Sequence, residues 1–181
     1  MSSPPEEDLQ MRTVLLAVAG LAFAASVSVA QDVVSFIHGT VKKVDSTTKT
    51  IVVKTKDGTD HTIKVAGDDT VKGTKDGFNG IKEGSEVVVS STGKGADATA
   101  KALGKVGKDG MKVTKGTIEK VDEGAKTVVV KSADGTEKTF EYSGTALADS
   151  GKDIAKGTEK GAKVTVYYTE DAGKKIAHFF D

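Results

Sequence analysis

Gly39-Thr40-Val41-Lys42-Lys43-Val44-Asp45 has a near copy 77 residues further on, Gly116-Thr117-Ile118-Glu119-Lys120-Val121-Asp122. The match continues without a gap. Lys49-Thr50-Ile51-Val52-Val53-Lys54 falls over Lys126-Thr127-Val128-Val129-Val130-Lys131, and Asp57-Gly58-Thr59 over Asp134-Gly135-Thr136. Apolar positions and turn glycines repeat together, which is the signature of two copies of one small domain.

Each copy is punctuated as short antiparallel strands. In the first, the β-branched run Thr50 to Lys56 meets Asp57-Gly58 and returns as Thr59 to Val65; in the second, Thr127 to Ser132 meets Asp134-Gly135 and returns as Thr136 to Tyr142. Asp-Gly between two such runs signals a hairpin, because glycine accepts the positive φ of a tight turn. A fourth strand, Glu86 to Ser91 or Lys163 to Thr169, follows a glycine in each copy. Val41 and Val44 are three apart, as are Ile118 and Val121. That spacing breaks strand alternation and predicts a β-bulge that coils the first strand.

The fifth strand of the second copy reads as Lys174 to Phe180. Its counterpart, Asp97 to Leu103, has the local propensity of a helix, but the repeat assigns it to a strand. Asp68 to Gly80 reads as too polar for the core, and its counterpart, 145–157, has room for one helical turn around Asp153-Ile154-Ala155. The expected fold is therefore all-β: two tandem small five-stranded antiparallel barrels, OB-like or SH3-like with the OB-like form favoured, after an N-terminal signal peptide. Closure would remove the exposed edges that make short sheets adhere to one another.

The signal is read from Met11-Arg12, the apolar run Val14 to Ala25 and the small-x-small site Ser28-Val29-Ala30, with residues 1–10 a mis-assigned start and Met11 the true one. The run is shorter than the ~20 residues a spanning helix needs. The expected organisation is a signal over 1–30, a first barrel over 34–104, a linker over 105–110 and a second barrel over 111–181. A periplasmic or secreted location follows, with no membrane span after cleavage. Without 1–30 the chain keeps 25 basic and 23 acidic side chains. Such a balance gives nucleic acid no electrostatic footing. Cysteine is absent, which removes disulfides, thiol chemistry and cysteine zinc sites.

Few residues carry recognisable chemistry. Gly93-Lys94-Gly95-Ala96-Asp97-Ala98 imitates a dinucleotide-binding turn but lacks the parallel strand and acid that should follow; a hairpin tip is the better reading. The acidic pairs Asp68-Asp69 and Asp122-Glu123 suit turns. No spacing matches a hydrolase triad or a calcium loop, so neither an enzyme nor a cofactor is expected. His38 and His61, near Asp60, are the candidate metal ligands, while His38, His61 and His178 stand opposite Lys115, Lys138 and Lys101 in the other copy. The second copy has gained aromatics: Phe140, Tyr142, Tyr167, Tyr168, Phe179 and Phe180 replace Ile63, Val65, Ser90, Ser91, Ala102 and Leu103. These rings fill a core and a seam between barrels, or else Tyr142, Tyr167 and Phe179 offer a stacking face to a sugar or base. Tyr167 and Tyr168 face opposite ways on one strand, so at most one is core.

The pattern Gly-Thr-Val-x-x-Val-Asp, Lys-Thr-Ile-Val-Val-Lys, Asp-Gly-Thr, Lys-Glu-Gly-Ser-Glu-Val and Lys-Lys-Ile-Ala resembles uncharacterised bacterial extracytoplasmic β-barrel domains. Its layout is similar to the periplasmic copper-chaperone barrels, OB-like domains that hold Cu(I) through a His, two Met and a Trp. Here His38 falls near that histidine, but tryptophan is absent and Met111 is the only methionine beyond residue 30. The thioethers that select soft Cu(I) are missing. The resemblance implies the fold and the compartment, and it undercuts copper. The expectation is an exported, non-enzymatic binding or envelope-associated structural module whose partner is an envelope protein or a small ligand. The alternatives are metal handling through His38 and His61, and a carbohydrate or oligonucleotide binder using the second-copy aromatics.

Overall fold

The computed structural model describes residues 34–93, 95–143, 146 and 160–181. The signal segment and the helical turn expected around 153–155 lie outside them. The described chain is all-β. Its strands are β1 (Ser35–Asp45), β2 (Thr50–Thr55), β3 (Asp60–Val65), β4 (Val71–Lys72), β5 (Glu86–Thr92) and β6 (Thr99–Lys105) in the first copy. In the second they are β7 (Lys112–Asp122), β8 (Thr127–Ser132), β9 (Glu137–Tyr142), β10 (Lys163–Asp171) and β11 (Lys174–Phe180).

Each copy closes into a five-stranded barrel. The first runs β3-β2-β1-β5-β6 and closes through β3–β6, with two-residue β4 added outside β6; the second is β9-β8-β7-β10-β11. Both closing pairs, β3–β6 and β9–β11, are parallel, and the other barrel pairs are antiparallel. This Greek-key order is that of an OB-like barrel, not of a meander.

The copies agree in register as well as in topology. The predicted bulge lies between Val41 and Lys43 and again between Ile118 and Lys120. A second bulge falls between Ser90 and Ser91 and again between Tyr167 and Tyr168. The hairpin turn repeats as well: Gly58 has φ +89° and Gly135 +84°. Asp57 Oδ1 accepts from the Thr59 N–H at 3.1 Å, and Asp134 Oδ1 from the Thr136 N–H at 2.9 Å. Of residues 97–103, ambiguous by propensity, Asp97 ends a short 3-10 turn, while 99–103 join the strand Thr99–Lys105, which pairs along β5 and, at its start, with the end of β3.

The two cores are filled differently. The second uses Phe140, Tyr142, Tyr168 and Phe180 from its strands. The first has Ile63, Val65 and Leu103 at three of those places, and it adds Val71, Phe78 and Ile81 from the crossover between β3 and β5. The expectation that 68–80 stays outside the core is therefore corrected: Val71 and Phe78 are 7% and 3% exposed. A polar average hid two apolar side chains that smaller strand residues leave room for.

Between the barrels a third cluster joins Val88, Ala102, Val106 and Met111 to Tyr167 and Phe179, with Phe36 packed against it. β6 continues through Lys105 into this seam, so the stretch read as linker begins as strand and ends in a turn before the fully buried Met111. Facing strands contribute unequal bulk: Ser90, Ala102 and Gly104 are the counterparts in sequence of Tyr167, Phe179 and Asp181. A Cβ on Gly104 would meet the Phe179 ring at 2.8 Å. Small residues on one barrel thus admit large ones from the other. Among the described residues no helix is long and apolar enough to cross a membrane.

His178, half-buried, accepts or donates at 2.8 Å to the Thr169 hydroxyl. Burial, and secondarily the Lys72 ammonium on β4, hold its pKa below the ordinary 6.5. The fold keeps it neutral where the unfolded chain protonates. Its contribution to stability is whole above about pH 6.5 and drains away as pH falls toward the folded value. Urea midpoints should drop between about pH 7.5 and pH 5.5, and His178→Gln should shrink that drop. Equal drops in both proteins would exclude His178 as the cause.

Candidate functional site

Strand alternation decides what faces the inside of the first barrel. On β3, Ile63 and Val65 are buried, so His61, two residues before Ile63, points the same way at the strand's open end. Ile37 on β1, Thr55 on β2 and Ser91 on β5 reach the same end, and Ala98 closes it from the turn before β6. Together they border a cleft of about 690 Å³. Its floor is apolar and buried, with Ile37 and Ala98, and it also contains the buried hydroxyl of Ser91.

The second barrel shows what this mouth lacks. The counterpart of Ser91 is Tyr168, buried and stacked edge-on against Phe140 with centroids 4.9 Å apart. The counterpart of His61 is Lys138, whose Nζ donates at 3.2 Å to the hydroxyl of Thr114, the counterpart of Ile37. A tyrosine ring and a lysine strap therefore occupy the end of the second barrel that the first leaves open.

The charge differs as well. Ser35, His38, His61 and Ala98 stand where the second barrel has Lys112, Lys115, Lys138 and Lys175, while acids remain at Asp57 and Asp60, as at Asp134 and Glu137. Asp57 is held below the usual carboxylate range by the Thr55 hydroxyl and the Thr59 N–H. Asp60 is held low by Lys42, whose Nζ lies 2.6 Å from Oδ2. Among the described residues the cleft lining contains no lysine or arginine; Lys94, between the lining residues Gly93 and Gly95, lies outside them.

His38 borders the cleft from β1. Its Nε2 lies 2.7 Å from Glu86 Oε1, and its ring meets Tyr167 at 5.8 Å. The structure thus brings His38, His61 and Asp60 to one cleft, but His38 and Asp60 each already have a charged partner. Among the described residues no group of three or more ligating side chains gathers around a point. Phe36 also borders the cleft while packing on Tyr167 and Phe179 at 5.9 and 6.1 Å. One wall of the mouth is therefore backed by the second barrel.

The aromatic candidates are placed elsewhere. Tyr142 is in the second core, and Tyr167 and Phe179 are in the seam, 3% and 0% exposed. Burial pushes the Tyr167 hydroxyl up to about 12, with the Asp181 and Glu86 carboxylates adding to it. Their rings face other protein groups. Sequence reasoning passed over Ile37, Ser91 and Ala98. The signal was present in the repeat, since Ser91 opposite Tyr168 is as much an opening in one copy as a gain in the other.

The comparisons with known proteins add no relative: no protein-family model matches the chain, and no curated protein matches its sequence.

Proposed function

We propose that this chain is an exported, non-enzymatic binding module whose site is the open mouth of the first barrel, with the second barrel as its brace. The observation that supports the reading most is the unequal pair of ends, one open and without lysine among its described lining residues, the other filled by Tyr168 and Lys138. Divergence between duplicates at one structural place marks where their roles have separated. A cleft with an apolar floor, hydroxyls, two imidazoles and two ionised carboxylates suits a small polar ligand without net negative charge. Export rests on the Met11 to Ala30 segment of the sequence.

The test is a solution NMR screen of the chain against amino acids, monosaccharides and alkyl amines, following the amides of Ile37, His61 and Ser91. Ser91→Tyr grafts the second barrel's filler into the mouth. It should weaken binding at least about tenfold, or ~1.4 kcal/mol. Binding that ignores this substitution, or that perturbs only distant amides, would end the proposal.

A metal ion is the second reading, favoured because His38 and His61 border the same cleft. Titration with Zn²⁺ and Cu²⁺ against a His38→Ala/His61→Ala protein separates it. Undiminished binding in the double variant removes it.

A further inference from the structure

A second cleft, of about 660 Å³, opens where the barrels meet. Three separate pieces of chain build it: the first barrel's crossover from Gly73 to Lys82, the turn from Lys105 to Lys112, and Thr169 and Glu170 on β10. Five lysines and three acids line it. Glu170 is engaged by Lys112, and Lys175 approaches it at 3.9 Å from outside. Among the described residues Lys75, Lys82, Lys105 and Lys108 form no ion pair, although Asp76 and Asp109 stand in the same lining.

We propose that this cleft binds a small multivalent oxyanion, an oligophosphate or oligocarboxylate, through Lys75, Lys82, Lys105 and Lys108. Four ammonium groups around one concavity outnumber the carboxylates of Asp76 and Asp109 there, and the positive excess repels itself and projects its potential outward. An anion placed among them relieves that repulsion. Lysine suits this task, because a compact charge on a flexible stem grips an anion without requiring one fixed geometry. The volume exceeds what a single-charge ion fills, which favours a ligand presenting several charges. Since the lysines come from the crossover and the turn while β10 completes the wall, an occupied cleft ties the first barrel's crossover to the second barrel. The site is rich in lysine where the described lining of the mouth has none, and it does not depend on that mouth.

The experiment titrates the full chain at low ionic strength with inorganic triphosphate in one arm and citrate in the other. Amide signals of residues 74–76, 82 and 105–110 should shift saturably. Affinity should fall at least about tenfold between ~50 mM and ~0.5 M salt, as screening shortens the reach of the lysines. Lys82→Gln/Lys108→Gln should weaken binding at least about tenfold, while Lys54→Gln, on the outer face of β2, should leave it unchanged. These exposed substitutions leave both cores intact, and half-buried Lys105 is spared. A response to triphosphate alone assigns phosphate chemistry, one to citrate alone assigns carboxylate chemistry, and one to both assigns charge multiplicity. No saturable shift with either anion, shifts spread equally over Lys54, Lys131 and Lys163, or indifference to the double substitution would overturn the site.

Discussion

Phe179→Ala is expected to cost about 3–5 kcal/mol and to make the two barrels unfold separately. Phe179 is fully buried, yet it belongs to neither barrel's own core. Its ring lies against the space left by Gly104 and meets Phe36 and Tyr167 at 6.1 and 6.5 Å. Truncation leaves a void that neither barrel can collapse into, because each is closed by backbone hydrogen bonds. The parent should unfold in one calorimetric transition. The variant should show two, the second barrel's own packing of Phe140 on Tyr168 being untouched. A single transition with a loss below about 1 kcal/mol would show that the seam does not couple the barrels. Because Phe36 also borders the mouth, the same variant should weaken any ligand held there.

Alanine at Gly39 or at Gly116 should be almost as damaging, by about 1–3 kcal/mol each, because the new methyl group overpacks a fixed wall. Neither glycine has a positive φ, so the objection is steric. A Cβ at Gly39 would press into the Lys54 carbonyl and stand 2.8 Å from the Val53 Cγ1. A Cβ at Gly116 would press into the Lys131 carbonyl and stand 2.7 Å from the Val130 Cγ1. Those carbonyls belong to β2 and β8, the strands hydrogen-bonded alongside, and moving them would break the register just before the bulge. Urea denaturation of both variants checks the claim. Similar losses support structural equivalence of the two positions, and losses under about 0.5 kcal/mol would refute the close approach.

Most of this architecture was legible because it was written twice. The bulge after Val41 could be inferred from one copy, but Ile118 and Val121 repeat the spacing and make it a rule. Thr99–Lys105 could be assigned only by reference to its partner, since Ala100, Ala102 and Leu103 are good helix formers held in a strand by neighbouring edges. Phe78 was not legible. A lone aromatic in a polar crossover has no periodicity to reveal its direction, and its role depends on small residues far away in sequence. The candidate site was half legible. His38 and His61 were picked out by chemistry, whereas Ser91 and Ala98 matter because they are small. Smallness becomes informative only beside Tyr168 and Lys175.

Shared register carries a hazard during folding: either copy's hairpins fit the other's hydrogen-bonding pattern, so strand exchange between neighbours is an available error. The unequal filling works against it. The β10–β11 hairpin brings Tyr168 and Phe180 toward the interior, and the first interior, already holding Phe78 from its crossover, would have to take the extra ring of Phe180 in place of Leu103. The β5–β6 hairpin, with Ser91 and Leu103, would leave the other interior hollow. Bulk thus acts as an address, directing each hairpin home while two barrels assemble from one nearly repeated text.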